Sequence, residues 1–285
     1  MGSQQDLLPT PATAAGRDAL DAILARPARA LIALDFDGTL APIVPDPEQA
    51  RAHPEAVPAL AVLAPLVHRI AVITGRPADV AVRYGGFSGA EGLEHLVVLG
   101  HYGAERWDAV TRSVEAPPVD PGVAAAREEL PTLLDELGVG ESNGTWIEEK
   151  GRAVAVHTRR ASDPQAAFDT LREPLGALAE RHGLVLEPGR LVLELRPAGM
   201  DKGVALREYV RETDVAAVLF AGDDLGDLAA FEAVEELRTQ GVFGLLVCSG
   251  SSEVPQLAER ADVVVDGPQG VVALLRAIAE AAELR

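Results

Sequence analysis

The stretch Leu31-Ile32-Ala33-Leu34-Asp35-Phe36-Asp37-Gly38-Thr39-Leu40 decides the reading of this chain. Four consecutive apolar residues ahead of a glycine turn predict a strand buried on both faces, of the kind found inside a parallel sheet. Its carboxyl end delivers Asp35 and Asp37, which share one side of an extended chain. Two carboxylates this close repel each other unless a cation or a shared proton intervenes, so the pair calls for a chemical explanation.

Working outward, the same grammar repeats. Asp18 to Ala25 has apolar residues at helical spacing and leads into the strand at 31 to 36. Pro42, Pro45 and Pro47 keep the next connection irregular, and Pro54 opens a helix to about residue 66. Arg69-Ile70-Ala71-Val72-Ile73 is a second strand, ending in Thr74-Gly75-Arg76-Pro77 and a further helix. Leu96-Val97-Val98-Leu99 is a third. After Asp201 the pattern returns with a helix, the strand 215 to 220, Gly222-Asp223-Asp224, a helix over 225 to 238, strands at 244 to 248 and 262 to 265, and a last helix from about 269. Strand, crossover helix, strand predicts an α/β parallel sheet with ligands at its carboxyl edge.

Between these halves the composition changes. The Pro-rich break Glu115-Ala116-Pro117-Pro118-Val119-Asp120-Pro121 marks an exit from the first domain. A helix at 121 to 137 follows, then a hairpin made of 145 to 150 and 153 to 158, a helix at 163 to 182, and a second hairpin whose strands 184 to 187 and 190 to 196 flank Pro188-Gly189. This predicts an inserted α+β domain over residues 116–198, with a core domain built from 1–115 and 199–285 and a mobile tail at 1–12.

Composition narrows the classes. The 285 residues carry a formal charge of -19, which repels nucleic acid and anionic membrane surfaces at long range. No apolar run is long enough to span a bilayer, and the polar start lacks the pattern of a secretory signal, so a cytoplasmic protein is expected. Cys248 is the only cysteine, which leaves no intrachain disulfide and no cysteine zinc site. An anionic substrate would need local positive charge or a metal.

The chemistry-bearing residues gather at predicted strand ends. Asp35 and Asp37 end one strand, and Asp223 and Asp224 end another in the same sheet. Hard oxygen ligands in such a cluster suit Mg²⁺. Thr74-Gly75 sets a hydroxyl and backbone donors between a strand and a helix start, a usual place for phosphate, and Lys202 adds a point charge.

Taken together, Asp35-Phe36-Asp37-Gly38-Thr39, then Thr74, Lys202 and Gly222-Asp223-Asp224 resemble the ordered motifs of the haloacid dehalogenase (HAD-like) superfamily of phosphohydrolases. The resemblance implies a Rossmannoid core with an inserted cap. It also implies Asp35 as the nucleophile that forms an aspartyl-phosphate, and Asp37 as the proton donor and then the base. Thr74, Gly75 and Lys202 would hold phosphoryl oxygens. Mg²⁺ would be held by the Asp35 carboxylate, the Asp37 carbonyl and Asp223, with Asp224 or Asp227 assisting.

Within the insert, Glu148-Glu149-Lys150-Gly151, His157-Thr158-Arg159 and Glu194-Leu195-Arg196-Pro197 narrow the match. They resemble the cap strands of the trehalose-6-phosphate phosphatases. That resemblance implies Glu148, Lys150, His157, Glu194 and Arg196 as contacts to trehalose 6-phosphate. By alternation Glu148 and Lys150 share a strand face, as do Glu194 and Arg196. Without the family match, these pairs read as ordinary cross-strand charge pairing. Trp107 and Trp146 suit sugar stacking or packing equally.

The match is not complete. Gly222-Asp223-Asp224-Leu225-Gly226-Asp227-Leu228 lacks the Thr and Glu usual in that family, and His101-Tyr102-Gly103 replaces a His-Gly turn. Another sugar-phosphate phosphatase, acting on sucrose 6-phosphate or mannosyl phosphoglycerate, or a catalytically silent phosphosugar-binding regulator on the same fold, stays open at this point.

Overall fold

A computed structural model of the chain describes residues 8–250 and 255–284. It divides into two compact units, Met1–Ala116 with Asp201–Arg285, and Pro117–Met200.

The first unit is built on an eight-stranded sheet. Its strands are β1 (Ala30–Leu34), β2 (Arg69–Ile73), β3 (Leu96–Gly100), β4 (Glu105–Asp108) and β5 (Val114–Glu115). The returning chain adds three more, β10 (Ala217–Gly222), β11 (Phe243–Ser249) and β12 (Val263–Val265), after the four strands of the inserted unit. The order across the sheet is β12-β11-β10-β1-β2-β3-β4-β5. The six strands from β12 to β3 are parallel, and β4 and β5 extend the edge in antiparallel fashion. The sequence does not announce this edge, because Glu105-Arg106-Trp107-Asp108 carries too many charges to read as a strand, and only Trp107 among them is buried.

All five residues of β1 are buried, and their alternation serves two cores. Ile32 and Leu34 pack with Ile23, Leu60 and Leu275 beneath helices α1 (Ala14–Ala25), α2 (Ala56–Leu63), α3 (Ala78–Gly85) and α9 (Gly267–Glu283). Leu31 and Ala33 pack with Leu206, Tyr209 and Phe231 beneath α6 (Lys202–Thr213), α7 (Leu228–Thr239) and α8 (Pro255–Arg260). Helices on both faces therefore cover the sheet, which is why its central strands carry uninterrupted apolar runs.

The first seven residues of the expected tail lie outside the described residues, but residues 8–12 are not loose. Leu8 packs on the core and the Ala12 N–H donates to the Asp262 carbonyl at 2.7 Å. Thr13 then caps α1 by accepting from the Gly16 N–H.

The second unit has a four-stranded antiparallel sheet in the order β6-β7-β9-β8, from β6 (Trp146–Glu149), β7 (Val154–His157), β8 (Leu184–Gly189) and β9 (Val192–Pro197). One face packs under α4 (Pro121–Glu136) and α5 (Pro164–Arg181) through Val154, Val156, Leu171, Leu175, Leu193 and Leu195. The second hairpin turns later than the sequence suggests. Pro188 and Gly189 pair with Leu193 and Val192 as strand residues, and the reversal falls at Arg190-Leu191, with Leu191 at φ 58°. A proline fits there because β8 is an edge strand and its other side needs no N–H donor.

Candidate active site

The strand order reverses direction at β1, which has β2 on one side and β10 on the other. Such a switch point opens a crevice at the carboxyl ends of the strands. Asp35 continues β1 by donating its N–H to the Ala221 carbonyl at 2.9 Å. The chain then curls tightly. Leu40 and Ala41 N–H both donate to the Phe36 carbonyl, at 2.9 and 2.8 Å, and Gly38 takes φ 78°. Phe36 is buried edge-on against Phe87 and anchors the curl, while the Ser249 hydroxyl donates to the Gly38 carbonyl at 2.7 Å.

This places Asp35, Asp223 and Asp227 so that one carboxylate oxygen from each lies within 4.8 Å of the others. All three residues are buried. Lys202, at the first turn of α6, donates to Asp35 Oδ1 and to Asp227 Oδ1, each at 2.7 Å. Asp227 Oδ2 accepts from the Asp223 N–H at 2.9 Å and the Asp224 N–H at 3.1 Å.

The electrostatics follow from three acids and one ammonium. Burial raises the Asp35 carboxyl well above the usual range; Lys202 opposes this, and Asp227 and Asp223 reinforce it. Burial likewise raises Asp227, again against Lys202. The Asp223 carboxyl is pushed up to about 8 by burial, then by Asp227 and Asp224. Burial works against the Lys202 ammonium, but Asp227 and Asp35 overcome it and hold the group protonated well above its ordinary range. The lysine is satisfied, while the carboxylates as a set are short of positive charge. Asp223 Oδ1 is buried with no hydrogen-bond donor among the described residues. A buried acceptor left so is costly, and a small hard cation fits this donor set, which is all carboxylate oxygen.

Not every residue expected here joins the cluster. Asp224 is exposed, and its carboxylate instead closes a reciprocal cap with Asp227 at the turn Leu225–Asp227. Asp227 takes the inward place because it sits three residues on, where that turn points back at the strand end. The Asp37 carboxylate is also outside the cluster. Arg76 Nε and Nη2 grip its two oxygens at 2.6 and 2.7 Å, a bidentate pair. Arg76 also donates to the Pro47 carbonyl at 3.0 Å, and its guanidinium lies over the Tyr84 ring at 5.3 Å. The sequence reading gave Arg76 no role, although the residue follows Thr74-Gly75 directly. Thr74 is buried at the end of β2, and its Oγ1 accepts from the Arg76 N–H at 3.1 Å.

In the inserted unit, the sheet face away from α4 and α5 carries the remaining expected residues. His157 and Glu148 meet at 2.6 Å, Lys150 and Glu194 at 2.6 Å, and Arg196 reaches Glu187 at 2.9 Å. Glu194 and Arg196 are buried. Trp146 stacks on His157 with ring centroids 4.4 Å apart and 6° between planes, and the Arg160 guanidinium lies 4.5 Å from the Trp146 centroid. Trp146 therefore braces His157. Trp107 is a core residue.

Comparison with known proteins matches this chain to a family. The trehalose-phosphatase family model matches residues 33–266. A probable trehalose-phosphate phosphatase of Sinorhizobium fredii (strain NBRC 101917 / NGR234) is 31% identical over 242 residues, covering 83% of this chain and 86% of its own. An uncharacterized glycosyl hydrolase of Mycobacterium tuberculosis (strain CDC 1551 / Oshkosh) is 36% identical over 220 residues, 72% of this chain, and the chain spans only 15% of its length. In fold, the chain is similar to the C-terminal domain of Candida albicans trehalose-6-phosphate phosphatase, with a TM-score of 0.72 at 22% identity over 96% of this chain and 99% of that one. With the family model matching residues 33–266 of its 285, and with a relative of that activity 31% identical over 83% of its length, this chain belongs to the trehalose-phosphatase family.

Proposed function

We propose that this chain is a Mg²⁺-dependent phosphatase that hydrolyses trehalose 6-phosphate to trehalose and phosphate. The observation that carries the reading is the buried set Asp35, Asp223 and Asp227 around Lys202, at the switch point beside Thr74. Family membership supplies the substrate class, a sugar phosphate.

Asp35 is the nucleophile. One of its oxygens attacks phosphorus as the ester oxygen leaves, giving an aspartyl-phosphate that water then cleaves at phosphorus. Lys202 holds Asp35 in place and offers positive charge to the phosphoryl group, and the Thr74-Gly75 turn supplies hydroxyl and backbone donors to its oxygens. Asp37 gives the leaving alkoxide its proton and later takes one from water. In the conformation described, that carboxylate is clasped by Arg76, so proton transfer requires this pair to open. Mg²⁺ would be held by Asp35, Asp223 and Asp227 with the Asp37 carbonyl, and when bound it neutralises charge on the phosphoryl oxygens. Asp227 replaces Asp224 in this assignment. We assign sugar recognition to Glu148, Lys150, His157, Glu194 and Arg196, whose paired carboxylates and cations suit a molecule rich in hydroxyls.

Phosphate release from a panel of sugar phosphates, with and without Mg²⁺, tests reaction, metal and substrate at once. Turnover of trehalose 6-phosphate that requires Mg²⁺ is expected. Release from other sugar phosphates but none from this one would overturn the substrate, and an Asp35→Asn variant with undiminished turnover would overturn the nucleophile.

A further inference from the structure

The turn after β3 is bound to the turn after β2. The His101 N–H donates to the Arg76 carbonyl and the Tyr102 N–H to the Thr74 carbonyl, both at 2.9 Å. To make these bonds, two consecutive residues with side chains adopt left-handed backbone, His101 at φ 46° and Tyr102 at φ 57°. Non-glycine residues avoid that region, and strained backbone of this kind concentrates at functional sites.

The result of the strain is the position of one phenol. Gly75 does not need to be glycine for its own backbone, since it is not among the positive-φ glycines. What excludes a side chain there is Tyr102: a Cβ on Gly75 would lie 2.7 Å from the Tyr102 hydroxyl oxygen and 2.8 Å from Cζ. The hydroxyl thus sits directly over the Thr74-Gly75 turn, and Tyr102 is half-buried. The Lys202 ammonium already serves two carboxylates. An incoming phosphoryl group, which carries only acceptors, meets a site rich in acids, where each further neutral donor counts.

We propose that the Tyr102 phenol is an additional substrate-contacting group, donating a hydrogen bond to an oxygen of the bound phosphomonoester. This rests on the reading that the Thr74-Gly75 turn holds the phosphoryl group. It accounts at once for the strained turn and for the glycine at 75.

The test is Tyr102→Phe, which deletes the hydroxyl and keeps the ring. A hydrogen bond to a charged partner corresponds to roughly a ten- to hundredfold effect. Calorimetric titration of the full chain with inorganic phosphate in the presence of Mg²⁺ is expected to show at least about tenfold weaker binding in the variant. The kcat/KM for trehalose 6-phosphate should fall in parallel. The Mg²⁺ concentration for half-maximal thermal stabilisation, which a merely structural lesion at this turn would move, should stay at the wild-type value. Gly75→Ala, which pushes the phenol aside, should also weaken phosphate binding, and by less in the Tyr102→Phe background than in wild type. Phosphate affinity in Tyr102→Phe within about twofold of wild type would overturn the proposal. If the wild-type chain turned over no trehalose 6-phosphate, the proposed activity would fail, and the phosphate titration would still decide the role of Tyr102.

Discussion

Replacing Gly38 by alanine probes the closest approach in the site. Gly38 has φ 78°, and a Cβ built on it would lie on the Asp223 carboxylate, 2.5 Å from Oδ1 and closer still to Cγ and Oδ2. Two costs combine. The left-handed backbone costs a residue with a Cβ about 1–2 kcal/mol. Forcing a methyl against a buried neighbour costs about 1–3 kcal/mol more. Asp223 is buried, so its carboxylate yields only by displacing neighbours or leaving the cluster. The sum is about 2–5 kcal/mol, and at about 2–4 °C per kcal/mol for a unit of this size the melting temperature should fall by about 4–20 °C. Gly86 provides the control, because it has φ 69° and no atom of the described residues within 4 Å of its added Cβ. Gly86→Ala carries the backbone cost without the collision. Thermal unfolding, followed with and without Mg²⁺, separates the two. Gly38→Ala should lose more than Gly86→Ala and should also need more Mg²⁺ for half-maximal stabilisation, since metal ligands tolerate displacements of only about 0.2 Å. Equal melting losses in the two variants, with unchanged Mg²⁺ dependence, would refute the reasoning.

Asp262, away from the site, is buried and accepts from the Thr13 hydroxyl, from Arg238, and from the Leu246 N–H at 2.8 Å. Asp262→Ala should therefore cost about 3–5 kcal/mol in denaturant unfolding while leaving turnover per folded molecule intact; a loss below about 1 kcal/mol would contradict this. Asp227→Asn should abolish most activity and Mg²⁺ stabilisation, whereas Asp224→Asn, at an exposed position where asparagine caps the turn as well as aspartate does, should leave turnover largely intact; similar losses of turnover in both, by steady-state kinetics, would overturn the assignment of Asp227. The Asp223 carboxyl is raised from 3.8 to about 8, so between those values the folded chain binds more protons than the unfolded one. Without metal, stability from this group is therefore lost as pH rises through that window. Because a cation replaces the proton, the melting shift produced by Mg²⁺ should be larger at pH 8 than at pH 6, and an equal shift at both would argue against these ligands.

Much of this was legible in the chain because the central strands carry no other signal. Leu31 to Leu34 are apolar throughout, and a strand buried on both faces must be. Asp35, Thr74 and Asp223 then fall at strand ends by simple counting. What counting misses is direction beyond the strand. Asp224 and Asp227 are both acidic, and only the tight turn at Leu225–Asp227 shows that one caps it from outside while the other points in. Arg76 carries no signal of its own in the sequence, and only the curl at Gly38 brings Asp37 within its reach. The turn at Arg190-Leu191 has no glycine or proline to announce it, whereas Pro188-Gly189 announces one that does not form. Interior prolines, Pro131 in α4 and Pro174 in α5, are likewise outweighed by the leucines that pack on either side of them.

The sheet order has a consequence for synthesis. β1 lies between β2, which follows it closely, and β10, which comes only after the inserted unit. Lys202 is 167 residues beyond Asp35, so at ribosomal rates of about 5–20 residues per second the nascent core waits on the order of ten seconds or more for that partner. Throughout this interval one edge of an entirely apolar strand has no neighbour. The inserted unit, being continuous in the chain, meets no such delay. Aggregation during expression should accordingly be governed by the Leu31–Leu34 edge, and chaperones that shield extended apolar segments should act before residue 217 emerges.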